Sequence, residues 1–270
     1  MLVLCVLVAL THATLDDDGR QALFARVKHS IVVLQQTTSS GERRAHGTGW
    51  VARADGLVVT NSHVAALGEE LNALFSDGKS VPVLGVLVDD PEHDIALLKI
   101  DATALVPMQL SDLSEPPEGA SIFVIGNPLG YDFTAASGLV AAYRKNGLPL
   151  ELQSVAADKH ATLQLQVSSA AGASGSPVFD DFGRVLGVIR AGVGMASTMV
   201  FAVPVEFVRP MLQAEHTLVK KQVSREQVPW VNAAISAAVF AAAALLFRRL
   251  TGKRQSGPAR PTRKWSGYEE

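Results

Sequence analysis

The feature that most constrains the fold is a long succession of short β-branched runs, each closed by turn residues. Ile31–Leu34, Gly49–Ala52, Leu57–Thr60, Leu71–Phe75, Val81–Val88 and Ile95–Ile100 form a first series. Ser121–Ile125, Thr162–Val167, Pro177–Phe179, Val185–Ile189 and Met199–Val203 form a second. Turn chemistry separates them at Ala54-Asp55-Gly56, Asp77-Gly78 and Asp181-Phe182-Gly183. Such short runs at close spacing predict an all-β domain, an antiparallel barrel or sandwich. A chain of 270 residues that is 48% hydrophobic can bury that core in one domain. Two helices are expected at its margins. Asp16–Lys28 opens with acidic residues suited to a helix N-terminus, and Val205–His216 carries Val208, Met211 and Leu212 at helical spacing.

The ends of the chain have a different texture. Met1–Leu10 is apolar and ends in Thr11-His12-Ala13, which reads as a signal peptide over residues 1–13. No Lys or Arg precedes the apolar core, so a mis-assigned start or an uncleaved anchor stays open. Residues 14–29 form an N-terminal segment, residues 30–216 the β domain, and residues 217–227 a polar linker. Residues 228–247 hold no charge, match the thickness of a bilayer and begin near Trp230, an interfacial aromatic; the expectation is one transmembrane helix. The alternative is an Ala-rich buried helix of the soluble domain. Residues 248–270 carry seven Lys/Arg and two Glu, a charge of +5, which leaves −7 on the rest of a chain whose net charge is −2. This bias places the tail in the cytoplasm and the β domain periplasmic or extracellular. It also argues against nucleic acid as a partner and for a lipid bilayer held through residues 228–247. The single cysteine, Cys5, lies in the leading apolar run, so the β domain must stand on packing without disulfides.

Chemistry concentrates in three stretches. Gly172-Ala173-Ser174-Gly175-Ser176-Pro177 is a tight loop that presents one hydroxyl, with glycines free to turn amide N–H groups toward a point. Thr60-Asn61-Ser62-His63-Val64-Ala65-Ala66 offers a histidine after an apolar run, and His93-Asp94-Ile95 an aspartate entering another. Serine needs a base to become a nucleophile, and acyl transfer needs main-chain donors for the oxyanion. His63, Asp94 and Ser174 are therefore the candidate catalytic residues, and the N–H groups of Gly172 and Ser174 the candidate oxyanion hole. His46 and His93 read as solvated or structural, with His93 pointing away from Asp94. No metal constellation or phosphate loop is present, so no cofactor and no metal is expected.

The stretches TGWVARADGLVVTNSHV, HDIALLKI, VIGNPLG, GASGSPVF and FAVPVEFV resemble the trypsin-like serine proteases, specifically the HtrA/Deg branch, over about residues 30–215. The order His, Asp, Ser is that of chymotrypsin-type enzymes. The resemblance implies two six-stranded β-barrels, with His63 and Asp94 from the first and Ser174 from the second. It also implies a serine endopeptidase that cleaves exposed or misfolded protein segments, here on a membrane tether in place of a PDZ module. Two positions depart from the family: Ala173 stands where Asn is usual and Ser176 where Gly is usual. With Ala173 there, activation by an aspartate next to the nucleophile is excluded. A binding or scaffold module on the same fold, without turnover, is the alternative.

Peptide or protein substrate would add as a strand along Val188, Ile189, Arg190, Ala191 and Gly192. The pocket for the residue before the scissile bond would lie between Gln166–Ala171 and Ala191–Gly194, with Met199–Ala202 behind. No carboxylate lies among these residues, so a small apolar side chain is expected there. Arg190 is expected to face away or toward solvent; attraction of an acidic side chain is the other option. A homo-oligomer stays open.

Overall fold

The computed structural model describes residues 15–37, 43–66, 71–147, 159–192 and 196–214. The chain divides into two units at Val223–Ser224, and every described residue belongs to the first. The expected signal peptide, linker, transmembrane helix and basic tail lie outside the described residues. Among the described residues no helix is long and apolar enough to cross a membrane.

Six strands close the first barrel: β1 (Ile31–Thr37), β2 (Arg43–Arg53), β3 (Leu57–Thr60), β4 (Leu71–Phe75), β5 (Ser80–Asp90) and β6 (Ile95–Ile100), in the order β1-β2-β3-β6-β5-β4. The second sheet is built from β7 (Gln109–Leu110), β8 (Ser121–Gly126), β9 (Thr134–Arg144), β10 (Thr162–Ala170), β11 (Pro177–Phe179), β12 (Arg184–Gly192) and β13 (Ala196–Pro204). Its order is β11-β8-β9-β10-β13-β12-β7, and a further β11–β12 pairing closes six of these strands into a second barrel with β7 outside the ring. The expected double barrel is the observed one.

The strand sequences explain why there are two barrels and why they touch. Val58 of β3 and Ala96, Leu98 and Ile100 of β6 fill the first barrel. Their neighbours Leu57, Val59, Ile95 and Leu97 point the other way, into a seam shared with the second barrel. From the other side Phe123, Ile125, Val185 and Val188 enter the same seam, while Ile122, Val124, Leu186 and Ile189 fill the second barrel. Strands buried on both faces read as continuous apolar runs rather than alternating ones. That is the texture of IALLKI and SIFVIG.

The first helix, α1 (Asp17–Lys28), is capped by Asp16, whose side chain accepts from the Gly19 N–H at 2.8 Å. Asp17 and Asp18 sit in its first turn and Arg26 and Lys28 in its last, matching the helix dipole. It buries Leu23 and Val27 in the seam and sets Phe24 edge-on against Phe123, ring centroids 5.4 Å apart. The expected closing helix is shorter than the reading gave. A 3-10 turn over Val205–Phe207 leads into α3 (Val208–Gln213), and Ala214 is already extended. His216 lies outside the described residues. Val208 is fully buried, with Met211 and Leu212 packed against the same seam.

Two strands were absent from the sequence reading. The short β7 pairs in parallel with Arg184 and Val185. The long β9 is largely exposed and made mostly of small residues, so it lacks the apolar run that marks its neighbours. Gly138 within it approaches β10 so closely that a Cβ there would stand 2.1 Å from the Gln166 carbonyl oxygen.

The residues flanking the Gly172–Pro177 loop are packed at similar tolerance. A Cβ at Gly126 would stand 2.1 Å from Ser176 Oγ. Ser176 is fully buried, and its hydroxyl has no hydrogen-bond partner among the described residues. Gly126→Ala should therefore cost about 1–3 kcal/mol by overpacking. Ser176→Ala alone should be neutral or stabilising, because it removes a buried hydroxyl without a partner. Thermal melts of the two single variants and the double variant check both points. The double variant should recover most of the loss, and simple additivity would show that the two sites do not meet.

Candidate active site

The site lies where the two barrels meet. Just after β3 the chain turns into a single helical turn, α2 (Ser62–Ala65), which carries His63. Asn61 precedes it in extended conformation and donates from Nδ2 to the Asp94 carbonyl at 2.8 Å. Ser62 donates to Asp89 Oδ1 at 2.5 Å, tying the turn to β5. These bonds orient a histidine whose side chain is 42% exposed, open to an incoming group.

Asp94 immediately precedes β6. Its φ is +57°, in the left-handed region that Asp tolerates better than most residues. That backbone turn separates it from the strand behind it and aims its carboxylate at α2. Oδ1 accepts from the His63 main-chain N–H at 3.0 Å, and His63 Nδ1 stands 3.0 Å from Oδ1 and 2.9 Å from Oδ2. With Nδ1 facing a carboxylate, the network assigns the proton to Nδ1 and the lone pair to Nε2.

Ser174 sits on the second barrel, on the loop between β10 and β11. Gly172 and Gly175 have φ of +96° and +84°. A Cβ at Gly175 would stand 2.0 Å from the Thr48 carbonyl oxygen, so any other residue there would force the loop off the first barrel. Three hydrogen bonds fasten the loop, two of them across the seam from Thr48. Thr48 N–H donates to the Ser174 carbonyl at 2.8 Å, Thr48 Oγ1 to the Gly172 carbonyl at 3.2 Å, and Gly175 N–H to the Ile189 carbonyl at 2.9 Å. Gly47 completes the contact, wedged so that a Cβ would meet both Val64 of α2 and the Ser174 carbonyl.

The orientation of the Ala171–Gly172 peptide follows from its partner. Leu129 N–H donates to the Ala171 carbonyl at 2.7 Å, and in a trans peptide the following N–H points the opposite way. The N–H groups of Gly172 and Ser174 make no hydrogen bond among the described residues. Leu129 belongs to the 3-10 turn Pro128–Gly130, the glycine-bounded turn that follows β8.

Of the residues read from the sequence, His63 and Asp94 are in direct contact. Ser174 reaches the pair through Arg190. Its Oγ donates to the Arg190 carbonyl at 3.3 Å, while Arg190 Nε lies 3.3 Å from Asp94 Oδ2. The Arg190 side chain is only 10% exposed, so it does not face solvent as its strand neighbours imply. Ile189 fills the second barrel, so Arg190 falls on the opposite, seam side of β12, where it is also the extra residue of a β-bulge: Ile189 pairs with Ala202 and Ala191 with Phe201. Of the proposed docking strand, Val188 lies between Pro177 and Val203, and Ile189 exchanges bonds with Gly175 and Ser176. Their main chains are already engaged on both edges. Among the described residues, Ala191 and Gly192 pair with β13 and with no strand on their other side.

His93 is structural rather than solvated. Its Nδ1 lies 2.7 Å from Asp90 Oδ2, and its ring stacks on Phe207 and tilts against His160. Burial alone would raise the Asp90 carboxyl, but the hydrogen bonds and charge of His93 outweigh it and hold the group below its ordinary value. His46 is half-buried in β2. Among the described residues no cluster of His, Cys, Asp or Glu could hold a metal ion. The roles of Arg190, Thr48, Gly47 and Leu129 were not legible, because each acts through main-chain position or through a strand face that residue type does not announce.

The pattern of the Trypsin-like peptidase domain matches residues 47–188, just over half of the chain. A protein of Ectopseudomonas mendocina named "Probable periplasmic serine endoprotease DegP-like" is 32% identical over 200 residues, 71% of this chain and 40% of that protein. One of the same name from Halomonas elongata is 30% identical over 172 residues, 62% of this chain and 34% of that protein. The chain thus spans well under half the length of the curated relatives it matches. Among solved structures, an HtrA-type protease, AlgW, with a tripeptide is 26% identical with a TM-score of 0.62, covering 72% of this chain and 62% of that one. A serine endoprotease from Yersinia pestis shares the fold with a TM-score of 0.61 at 22% identity, covering 74% of this chain and 67% of that one. By the span of that pattern, and with the double barrel around it, this chain belongs to the trypsin-like peptidase family, alongside its DegP-like and HtrA-type members.

Proposed function

We propose that the protein is a serine endopeptidase acting outside the cytoplasm on exposed or misfolded protein segments. The observation that carries this reading is the His63–Asp94 contact at 2.9 Å, set across the seam from a serine whose loop leaves two main-chain N–H groups unpaired. In this reading His63 Nε2 takes the Ser174 proton as Oγ attacks the substrate carbonyl, and later returns it to the leaving amine. Asp94 holds the imidazole in the required tautomer and stabilises the imidazolium. The N–H groups of Gly172 and Ser174 receive the oxyanion. In the resting state Ser174 Oγ rests on the Arg190 carbonyl at 3.3 Å, a long bond that a rotation about χ1 gives up at little cost. Extended substrate adds to the open edge at Ala191 and Gly192, and it is peptide substrate that relatives such as the tripeptide-bound structure support.

Fluorophosphonate labelling tests the chemistry without knowledge of the substrate. Labelling should require both Ser174 and His63, and Ser174→Ala and His63→Ala should each lower casein hydrolysis by several orders of magnitude while the domain stays folded. Asp94→Asn should lower it about 10⁴-fold through the wrong tautomer. Native-level hydrolysis by Ser174→Ala would end the reading. A folded native chain that binds peptide but never labels would establish the scaffold alternative.

The tether is carried by residues 228–247, with the protease domain outside and the basic tail in the cytoplasm. The full chain should resist extraction of membranes with alkaline carbonate, and a chain stopped at Gln222 should be released. Release of both would remove the anchor.

The pocket expectation follows from the absence of carboxylates. Gln166 and Met199 are exposed beside the site, and no acidic side chain among Gln166–Ala171 or Met199–Ala202 could pair a buried Lys or Arg. Arg190 is occupied by Asp94. A peptide library varied at the residue before the cut should therefore return Val or Ala. Preference for Lys or Arg would overturn the pocket assignment while leaving the catalytic group intact.

A further inference from the structure

Arg190 meets the catalytic group twice: its carbonyl accepts from Ser174 Oγ, and its guanidinium reaches Asp94 Oδ2. The same Oδ2 lies 2.9 Å from His63 Nδ1, so one carboxylate oxygen serves both the histidine and the arginine. Both side chains of the Arg190–Asp94 pair are 10% exposed. A general base must start neutral. While His63 is neutral, the Asp94 charge has N–H donors from His63 but no cation there to balance it, and a buried carboxylate without a counter-charge is costly.

The other charged groups near this turn have partners of their own. From β5 come Asp89, bonded to Ser62 next in the chain, and Asp90, paired with His93. Beyond His93, Glu92 pairs with His160 at 3.0 Å. On β12 stands Arg190, the cation in contact with Asp94. Of these groups, Asp94 and Arg190 are the ones in contact with each other and with His63 or Ser174.

We propose that Arg190 is a positioning residue of this group, holding the Asp94 carboxylate against His63 and offsetting its charge so that the imidazole remains available as a base toward lower pH. The inference rests on the assignment of His63, Asp94 and Ser174 made above. Its place on β12 is what makes this feasible. Ile189 fills the second barrel, so residue 190 stands on the seam side of the strand, the side from which Val188 enters. The arrangement has a cost built in. The guanidinium also opposes the imidazolium that forms during attack, so it exchanges some transition-state stabilisation for a wider working range on the acid side.

The test is the pH dependence of the second-order rate of Ser174 labelling by a fluorophosphonate, measured on the full chain. In Arg190→Gln the pH of half-maximal rate on the acid side should rise by about one unit, from loss of a unit charge a few ångströms beyond the carboxylate. Arg190→Lys, which keeps the charge, should stay within about 0.3 units of the native chain. In an Asp94→Asn background the Arg190→Gln change should produce a clearly smaller rise, because only the direct repulsion between guanidinium and imidazolium is left. A merely structural arginine would lower the rate at all pH values and leave the midpoint in place, and that result overturns the proposal. So does an equal rise in the Gln and Lys variants, or a full rise without Asp94. Should the substitutions unfold the chain, the native protein still decides: the Arg190 Nε–H proton should exchange slowly and shift as His63 titrates, and a freely exchanging proton refutes the contact. Failure of the underlying assignment looks different, since it appears as undiminished labelling in His63→Ala whatever Arg190 does.

Discussion

The structure depends on strands that are apolar on both faces. A barrel strand that met water on its outer face would alternate, but Leu57, Val59, Ile95 and Leu97 are as fully buried as the residues facing the barrel interior. Such a barrel cannot stand alone, because its outer face must be taken out of water. The partner that covers it carries Phe123, Ile125, Val185 and Val188 on the matching face. The site follows from this. Strands β3 and β6 bring α2 and Asp94 to the rim of the seam, and β12 brings Arg190 to the same rim from the opposite side. The functional side chains are contributed by separate parts of the chain, and their spacing is fixed by a dry interface that tolerates little slippage.

Hydrogen bonds from Thr48 and Leu129 then set the loop that carries Ser174, the proposed nucleophile. Trypsin-like enzymes that rely on an aspartate beside the serine use an ion pair for this task; here Ala173 occupies the position and is buried in the core of the second barrel. In its place, Thr48 holds the Ser174 and Gly172 carbonyls and Leu129 holds the Ala171 carbonyl. These are ordinary neutral hydrogen bonds, individually modest, and they work because Gly172 and Gly175 adopt backbone angles that cost other residues energy. The proposed oxyanion hole is therefore shaped by packing across the seam and not by charge. Its geometry should be sensitive to how firmly the turn at Pro128–Gly130 is seated.

Much of this was legible in the sequence, and the reasons are physical. Doubly buried strands advertise themselves as apolar runs, the caps and charges of α1 follow helix electrostatics, and a histidine, an aspartate and a glycine-flanked serine in that order narrow the chemistry. The failures share a cause as well. Strand β9 is specified by what its neighbours need, close approach of small residues, and small residues have weak local preferences. The closing helix ended early because apolar spacing marks the buried face of a helix but not its last turn. Arg190 was misplaced because which face of β12 meets the seam is decided by how the two barrels pack, and residue type does not announce it.

The two departures from the family pattern illustrate how a site keeps its shape while its residues change. Ser176 places a hydroxyl where a glycine is usual, and the space it fills lies directly over Gly126, which has no side chain to oppose it. Ala173 gives up polar contacts of a larger residue but fits the barrel interior at 4% exposure. Neither change alters the backbone conformations at Gly172 and Gly175, which are set by contacts with Asn127 and Thr48 on other elements. Residue identity beside a nucleophile is thus free to drift where volume is conserved by a neighbour. The glycines are not, because the clash a side chain would create there is with backbone, and at Gly175 that backbone is Thr48 of β2, which cannot move aside without breaking its ladder.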